Sequence, residues 1–247
     1  MNMFLKIILL IILLVVMLMA SGYMFLQQDK FGRLPEGERL GRISRSPNYQ
    51  EGTFRNQLPI VRVVDGGGGM GLWLKFLMRS DDSLTPPAAL PTVKTDLKAM
   101  DPDTDAVVWL GHSSYFIRMG GRTILIDPVF STYASPIFLS TRAFEGTNLY
   151  TAEDMPDIDY LLISHDHWDH LDHDTVTALR PKIRSVITGL GVGEHFARWD
   201  SRKIWSTRQT GMIPCNWKTA LPFMCSRHVI FPEGCLTATA PCGSLLP

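Results

Sequence analysis

A stretch of twelve residues, Ser164–Thr175, concentrates residue types that bind metal ions. It reads SHDHWDHLDHDT and holds four histidines and four aspartates directly after the apolar run IDYLLI. Imidazole and carboxylate groups are the usual ligands of zinc and related divalent metals, and ligands confined to one loop need little further ordering. Left unpaired, the same groups would be costly to place against an apolar strand. The stretch therefore predicts a metal site, in preference to a solvated polar loop.

Strand and helix signals on both sides predict the elements that position this stretch. Segment 106–130, AVVWLGHSSYFIRMGGRTILIDPVF, indicates a strand, a turn, a second strand, a Gly-Gly hairpin and a third strand that ends at Asp127. Further along, DYLLIS is a short buried strand, DTVTALR begins a helix capped by Asp174, KIRSVITGL is another strand and GEHFARW a helical turn. Strands that alternate with helices, with candidate ligands after a strand's carboxyl end, favour an α/β enzyme.

The N-terminal segment is expected to lie outside the globular fold. From Ile7 to Leu26 the chain is nearly uncharged over about the twenty residues that cross a bilayer. Ala20-Ser21-Gly22 resembles a signal-peptidase site, so an uncleaved anchor and a cleaved export signal are both open. More positive charge follows this segment than precedes it, which favours a cytoplasmic domain. We expect a membrane-associated protein with a single N-terminal span or an exported signal, and leave the side of the membrane undecided.

Composition and the positions of glycine and proline divide the chain into regions. The 247 residues are 45% apolar and carry no net charge, which fits one sizeable domain and argues against nucleic-acid binding. We expect four regions: 1–26 signal peptide or anchor, 27–104 leader and linker, 105–204 the domain, and 205–247 a tail. The leader is expected to be extended through residue 56. Segment 65–71, DGGGGMG, is a flexible turn before a short helix, LWLKFLM, because no Gly-Lys-Ser/Thr follows it.

The motif His-x-His-x-Asp-His after a short buried strand resembles the signature of the metallo-β-lactamase superfamily. WLGHSSYFIRMGGRTILIDPVFS and MPDIDYLLISHDHWDHLD are similar to one branch of it. That branch contains L-ascorbate-6-phosphate lactonase-like proteins and the phospholipase D that hydrolyses N-acylphosphatidylethanolamines. The likeness covers most of residues 29–203. It implies an αββα sandwich, here its N-terminal half and part of the second half, preceded by the N-terminal hydrophobic helix.

The resemblance also implies a site for two metal ions. His165 and His167 match the ligands of the first ion, and Asp169 and His170 match those of the second. Asp127 matches an aspartate that supports the metal loop. The other acidic residues of the stretch and His173 match no ligand of the motif. We expect Asp166 and Asp172 to be supporting or solvated, and His173 to be an exposed loop residue. Upstream, His112 either lines the cleft or is satisfied by its own turn.

Two divalent metals, zinc by resemblance although others would fit, imply hydrolysis. Metals a few ångströms apart share a hydroxide, lower its pKa from about 15.7 towards roughly 7, and polarise the oxygen under attack. Asp169 would hold the second metal and orient the hydroxide as a catalytic residue. A phosphodiester or a lactone would serve equally as the electrophile. The membrane segment favours a lipid-like substrate over another small molecule.

The C-terminal tail departs from the family pattern. The family site needs a third histidine for the first metal, a bridging aspartate and a last histidine, yet only His195, expected on a helix surface, and His228 follow the cluster. Read one base out of frame, the codons of Ser226–Gly234 can encode PARHFSGR, which resembles the family segment that carries the missing histidine. We therefore expect a change of frame between about Lys203 and Thr210 and an impaired, truncated chain. A disulfide-bonded appendage is the alternative interpretation of its four cysteines, which would carry no redox information if the frame is changed: Cys215, Cys225, Cys235 and Cys242.

Two function classes follow from this reading. The first is a membrane-associated binuclear metal hydrolase. The second is a non-catalytic pseudoenzyme, or a membrane-tethered fragment, that binds metal weakly through the histidine loop. A nuclease of the same fold is disfavoured because the chain has no basic patch. Metal content and phosphodiesterase turnover, compared with those of a frame-corrected chain, discriminate between the first two.

Overall fold

The computed structural model of the protein describes residues 2–55, 85–137 and 141–199. The expected glycine-rich turn and the short helix after it, the shifted reading frame, His228 and the four cysteines lie outside these described residues. At the N-terminal end, helix α1 spans Met3–Leu26 and helix α2 spans Gly37–Ile43. A two-stranded hairpin then pairs β1, Tyr49–Gln50, with β2, Thr53–Phe54.

Helix α1 is apolar along its whole length, and Asn2 caps it by accepting the N–H of Leu5 at 3.0 Å. Its 24 residues rise about 36 Å at 1.5 Å each, which exceeds a bilayer core of about 30 Å. None of its residues is buried against the rest of the protein. Among the described residues it is the one helix long and apolar enough to cross a membrane, and a signal sequence would have the same properties.

One mixed sheet of five strands organises residues 106–188. In spatial order it contains β3 Ala106–Gly111, β4 Ser114–Met119, β5 Arg122–Ile126, β6 Ile158–Ile163 and β7 Ile183–Thr188. Strands β3, β4 and β5 pair antiparallel, whereas β5, β6 and β7 are parallel. Gly120 and Gly121, both with positive φ, make the tight turn between β4 and β5. The predicted strands and the Gly-Gly hairpin are confirmed.

Helix α3, His173–Leu179, follows β6, and helix α4, Gly193–Trp199, follows β7. The predicted cap of α3 was wrong: Asp172, not Asp174, caps it by accepting the N–H of Asp174 at 3.2 Å. Asp172 has the extended backbone that a cap needs, whereas Asp174 already lies within the helix. His173 is accordingly the first helical residue, with a side chain only 23% exposed, and not an exposed loop residue.

The core lies on one face of this sheet. Phe116, Leu125 and Leu161 are direct neighbours on β4, β5 and β6 and are fully buried. Val176 and Leu179 of α3 belong to the same buried cluster. Burying each large apolar side chain contributes about 1.5–3 kcal/mol. This packing fixes the carboxyl ends of β5 and β6, from which Asp127 and the histidine stretch extend.

The leader is not the extended segment that its polar composition predicted. A 3-10 turn at Asp29–Phe31 and helix α2 lie within it. Its segment 27–43, called the strap below, packs against α4. Arg33 and Arg39 form ion pairs with Glu194, a buried residue of α4. These arginines thus pair with a carboxylate that lies 161 residues away from Arg33 in the sequence.

Candidate metal centre

The site begins where parallel strands β5 and β6 end side by side. Asp127 follows β5 and donates its N–H to the Leu162 carbonyl of β6 at 3.0 Å. Its carboxylate in turn accepts the Ser164 N–H at 2.7 Å and the Ser164 hydroxyl at 2.6 Å. Asp127 is 3% exposed and has a φ of 41°, a left-handed conformation that aspartate tolerates better than most residues. The parallel pairing of β5 with β6 therefore places a buried carboxylate under the loop Ser164–Asp172, called the histidine loop below.

A chain of hydrogen bonds from Asp127 fixes which histidine nitrogens are free. Asp127 Oδ2 lies 2.9 Å from His170 Nδ1, and since a carboxylate only accepts, that nitrogen carries the proton. The Ser164 hydroxyl donates to Asp127, so its oxygen accepts the hydrogen bond from His165 Nδ1 at 2.9 Å. In its neutral form each of these imidazoles therefore has a free Nε2. A carboxylate that orients a histidine in this way is the usual outer support of a metal ligand.

The predicted ligands lie together in the histidine loop. The ring of His165 lies 4.5 Å from that of His167 and 4.0 Å from that of His170, centroid to centroid. His170 Nε2 is 3.7 Å from Asp169 Oδ2. The four residues of the motif thus form one cluster of three imidazoles and a carboxylate.

His112 reaches the same cluster from the turn between β3 and β4. Its Nε2 donates to Asp169 Oδ2 at 3.0 Å, and its ring lies 5.5 Å from that of His170. One donor atom from each of His112, Asp169 and His170 lies within 4.8 Å of the others. Like Asp127, His112 has a positive φ, 43°, which is uncommon for its residue type and recurs at functional sites. Its side chain contacts Asp169 of the histidine loop, and its carbonyl accepts the Trp109 indole N–H at 2.9 Å.

The protonation of the cluster suits metal binding. Burial, together with the charges of His170 and His167, lowers the pKa of His165, so the neutral form persists to lower pH. Burial raises the pKa of Asp169, but its backbone hydrogen bond and the nearby His170 and His112 outweigh this and lower it. Neutral imidazole and ionised carboxylate are the forms that bind a divalent cation.

These donors fit a divalent transition metal. All are nitrogen or carboxylate oxygen, two of the imidazoles have a fixed free Nε2, and Asp127 supports them from behind. His165 and His167 would hold one ion, and Asp169 and His170, with His112 nearby, would hold a second. Because imidazole and carboxylate suit zinc, iron and manganese alike, the donor set leaves the element open.

Three contacts around the site were not predicted from the sequence. Ser164 relays the hydrogen bond of Asp127, and its position between a buried strand and the first histidine was the one available signal. His195 was expected on a helix surface, yet its side chain is 16% exposed and its Nε2 lies 3.4 Å from Asp166 Oδ2. The hydrogen bond with His195 lowers the pKa of Asp166. Trp168 packs edge-on against Phe31 of the strap, with the ring centroids 5.5 Å apart.

Several curated proteins are similar to parts of this chain in sequence. An uncharacterized protein of Mycobacterium tuberculosis is 33% identical over 175 residues, which cover 70% of this chain and 45% of that protein. The N-acyl-phosphatidylethanolamine-hydrolyzing phospholipase D 1 of Caenorhabditis elegans is 40% identical over 84 residues, 31% of this chain and 22% of that protein. A metal-dependent hydrolase of Caldivirga maquilingensis is 35% identical over 63 residues, 26% of this chain and 22% of that protein. The chain thus spans less than half the length of these relatives.

Among solved structures, that of CmlA, a diiron β-hydroxylase from Streptomyces venezuelae, is similar at 30% identity. It covers 40% of this chain and 20% of CmlA, with a TM-score of 0.31. A sequence profile of the beta-lactamase superfamily domain matches residues 106–230. The match begins at β3, includes the whole histidine loop and extends past residue 205, the expected start of the tail that departs from the family pattern. Because this profile covers half of the chain and every predicted ligand, the chain belongs to the β-lactamase superfamily.

Proposed function

We propose that the chain carries the site of a metal-dependent hydrolase that acts on a phosphodiester, with a lactone as the second candidate electrophile. The observation that carries the proposal is the relay from Asp127 through Ser164, which leaves free Nε2 atoms on His165 and His170 beside Asp169. Metal-dependent hydrolases and a phospholipase D among the relatives support hydrolysis as the reaction class.

Each residue of the site has a role that its contacts define. Divalent ions bound there would act as Lewis acids and lower the pKa of a bound water, which is the usual source of a nucleophile at neutral pH. His165, His167 and His170 would hold the ions, and Asp127 fixes the orientation of His170 directly and that of His165 through Ser164. Asp169 accepts a hydrogen bond from His112 Nε2, so His112 orients this carboxylate beside the reacting groups.

A lipid-like substrate is supported by how close the histidine loop lies to the end of α1. Phe31 follows Leu26, the last residue of α1, by only five positions, which span at most about 18 Å even when fully extended. Phe31 contacts Trp168 of the histidine loop. If α1 anchors the protein, the site lies near the headgroup layer, where a phospholipid presents its phosphodiester. We propose this membrane attachment and this substrate class together.

The test is the loss of metal and turnover in His167→Ala. We expect the variant to lose hydrolysis of a phosphodiester substrate and at least one equivalent of bound metal, with little change in its circular dichroism spectrum. His173→Ala is the matched control, because His173 lies in the same stretch but outside the motif and should keep the metal content of the unmodified chain. Retained turnover in His167→Ala would remove the assignment of this loop as the metal site.

The second candidate function is metal binding without turnover. It is favoured by the donor set itself, because within residues 2–55, 85–137 and 141–199 the ligands come from the histidine loop and His112 alone. A chain with the reading frame corrected after residue 203 discriminates between the two. Turnover in the corrected chain alone supports the non-catalytic reading for this chain, whereas equal turnover in both supports the enzyme and contradicts the truncation.

A further inference from the structure

The strap lies between two parts of the molecule that are far from it in sequence. On one side it contacts α4: Arg198 donates to the Gln27 carbonyl at 2.8 Å, and the Trp199 indole N–H donates to the Asp29 carbonyl at 2.8 Å. On the other side, Phe31 contacts Trp168 in the histidine loop. Trp168 stands between His167 and Asp169, both of them predicted ligands, so any contact that fixes Trp168 also restricts its two neighbours.

The side of the strap that faces α4 is held by a buried carboxylate. Glu194 is 4% exposed and pairs with Arg33, and also with Arg39 at 3.1 Å between Arg39 Nε and Glu194 Oε2. Burying a carboxylate is costly unless it is paired, so the two guanidinium groups are needed to keep Glu194 inside. Because one carboxylate binds two arginines six residues apart, the 3-10 turn and α2 are fixed to α4 together.

A close approach completes this arrangement. Gly32 has a φ of 66°, and a β-carbon added to it would lie 1.6 Å from His195 Nδ1. The same imidazole reaches Asp166 of the histidine loop through its Nε2, at 3.4 Å. The strap, α4 and the histidine loop therefore contact one another pairwise: Phe31 with Trp168, Gly32 with His195, and His195 with Asp166.

We propose that the strap is a positioning element of the metal centre, in which the clamp of Arg33 and Arg39 on Glu194 presses Phe31 against Trp168 and holds the histidine loop in its ligand-binding geometry. This inference rests on the proposed function, because it assumes that the histidine loop binds metal. Phe31 contacts Trp168, which is not a predicted ligand, and Glu194 pairs with Arg33 and Arg39 of the strap. Both act through a neighbour and are positioning residues.

The first test measures metal binding by the full-length chain in detergent micelles, with Co²⁺ as the probe and its visible absorption as the readout. Phe31→Ala and Glu194→Gln should each weaken Co²⁺ binding by about tenfold, the lower end of the range for residues that support metal ligands. Phe31→Tyr keeps the ring and should bind as the unmodified chain does. Leu34→Ala is the matched control, because Leu34 belongs to the strap but is 81% exposed. Unchanged affinity in both Phe31→Ala and Glu194→Gln would overturn the proposal.

A double variant tests whether the clamp acts through Phe31. If it does, Phe31→Ala combined with Glu194→Gln should weaken binding little more than the stronger single change, because the two share one route. Fully multiplied losses would mean that Glu194 affects the site without the strap.

Amide hydrogen exchange of the metal-free chain separates this inference from the proposed function. In Phe31→Ala we expect exchange in 164–172 to accelerate by about tenfold while β4 keeps its protection, since local opening is distinct from global unfolding. Acceleration throughout the sheet would reduce the strap to a general stabilising element and overturn the proposal. If the unmodified chain bound no Co²⁺, the proposed function would fail, yet this exchange pattern would still decide the role of the strap.

Discussion

At the residue scale, the Asp127 carboxylate accepts hydrogen bonds from the Ser164 N–H, the Ser164 hydroxyl and His170 Nδ1. The last two of these determine tautomers, because each leaves one imidazole with a free Nε2. An uncharged amide at this position would still accept one hydrogen bond but would also present N–H donors. Those donors would compete for the Ser164 oxygen and disturb the relay to His165.

Asp127→Asn should therefore weaken metal binding by about 10–100-fold, the usual cost of removing a carboxylate that supports a ligand. Competition with a chelating zinc indicator measures this directly. Asp159→Asn is a matched control: it removes the same charge near the start of β6, where Asp159 accepts the Thr123 N–H at 3.1 Å, far along the strand from the histidine loop. Equal losses in both variants would contradict a specific role for Asp127 and indicate a general charge effect.

At the element scale, two glycines of the strap differ in the space around them. Gly32 and Gly37 both have positive φ, but a β-carbon at Gly37 would meet nothing within 4 Å, whereas one at Gly32 would overlap His195. Gly32 also has a ψ of −157°, a backbone region essentially restricted to glycine, so an alanine there would carry a backbone cost of about 1–3 kcal/mol.

Gly32→Ala should lower the free energy of unfolding by about 1–3 kcal/mol more than Gly37→Ala, because a forced overlap in a packed region adds to the backbone cost. Thermal unfolding of the full-length chain in micelles, followed by circular dichroism, compares the two variants. Equal midpoints would mean that α4 accommodates the methyl group and that the close approach is unimportant for packing.

The elements that the sequence predicted well are those with local signals. The strand ending at Asp127, the Gly-Gly hairpin and the buried strand before Ser164 follow from periodicity and turn residues within a few positions. The strap was missed because its partners are remote: Arg33 lies 161 residues from Glu194, and no local pattern connects them. The cluster in the histidine loop was predictable because its ligands are adjacent in sequence. The contact between His112 and Asp169, 57 residues apart, was not.

At the scale of the whole molecule, the face of the sheet opposite the core exposes apolar side chains. Val107 is 63% exposed and Trp109 44% exposed on β3, beside Tyr115, which is 39% exposed and pairs with Trp109. The sandwich that the family resemblance implies would cover such a face with a second layer. We propose that the frame-corrected continuation of the chain supplies that layer.

The nucleotide sequence tests this proposal at little cost. We expect the codons of Ser226–Gly234, read one base out of frame, to spell PARHFSGR, and an inserted or deleted base to lie between the codons of about Lys203 and Thr210. Any other peptide in that frame would dismiss the hypothesis. The corrected chain should also be more soluble when expressed, because it would cover apolar surface that otherwise favours aggregation.

The contact between the strap and α4 has a consequence for how the protein is made. Arg33 leaves the ribosome long before Glu194 is synthesised, and 161 residues at about 5–20 residues per second take roughly 8–32 seconds. During that interval the N-terminal helix and the two arginines have no partner in α4. The strap can therefore dock only at the end of the domain's synthesis. The histidine loop is synthesised some twenty to thirty residues before Glu194, so it acquires its last support after all of its own ligands have been synthesised.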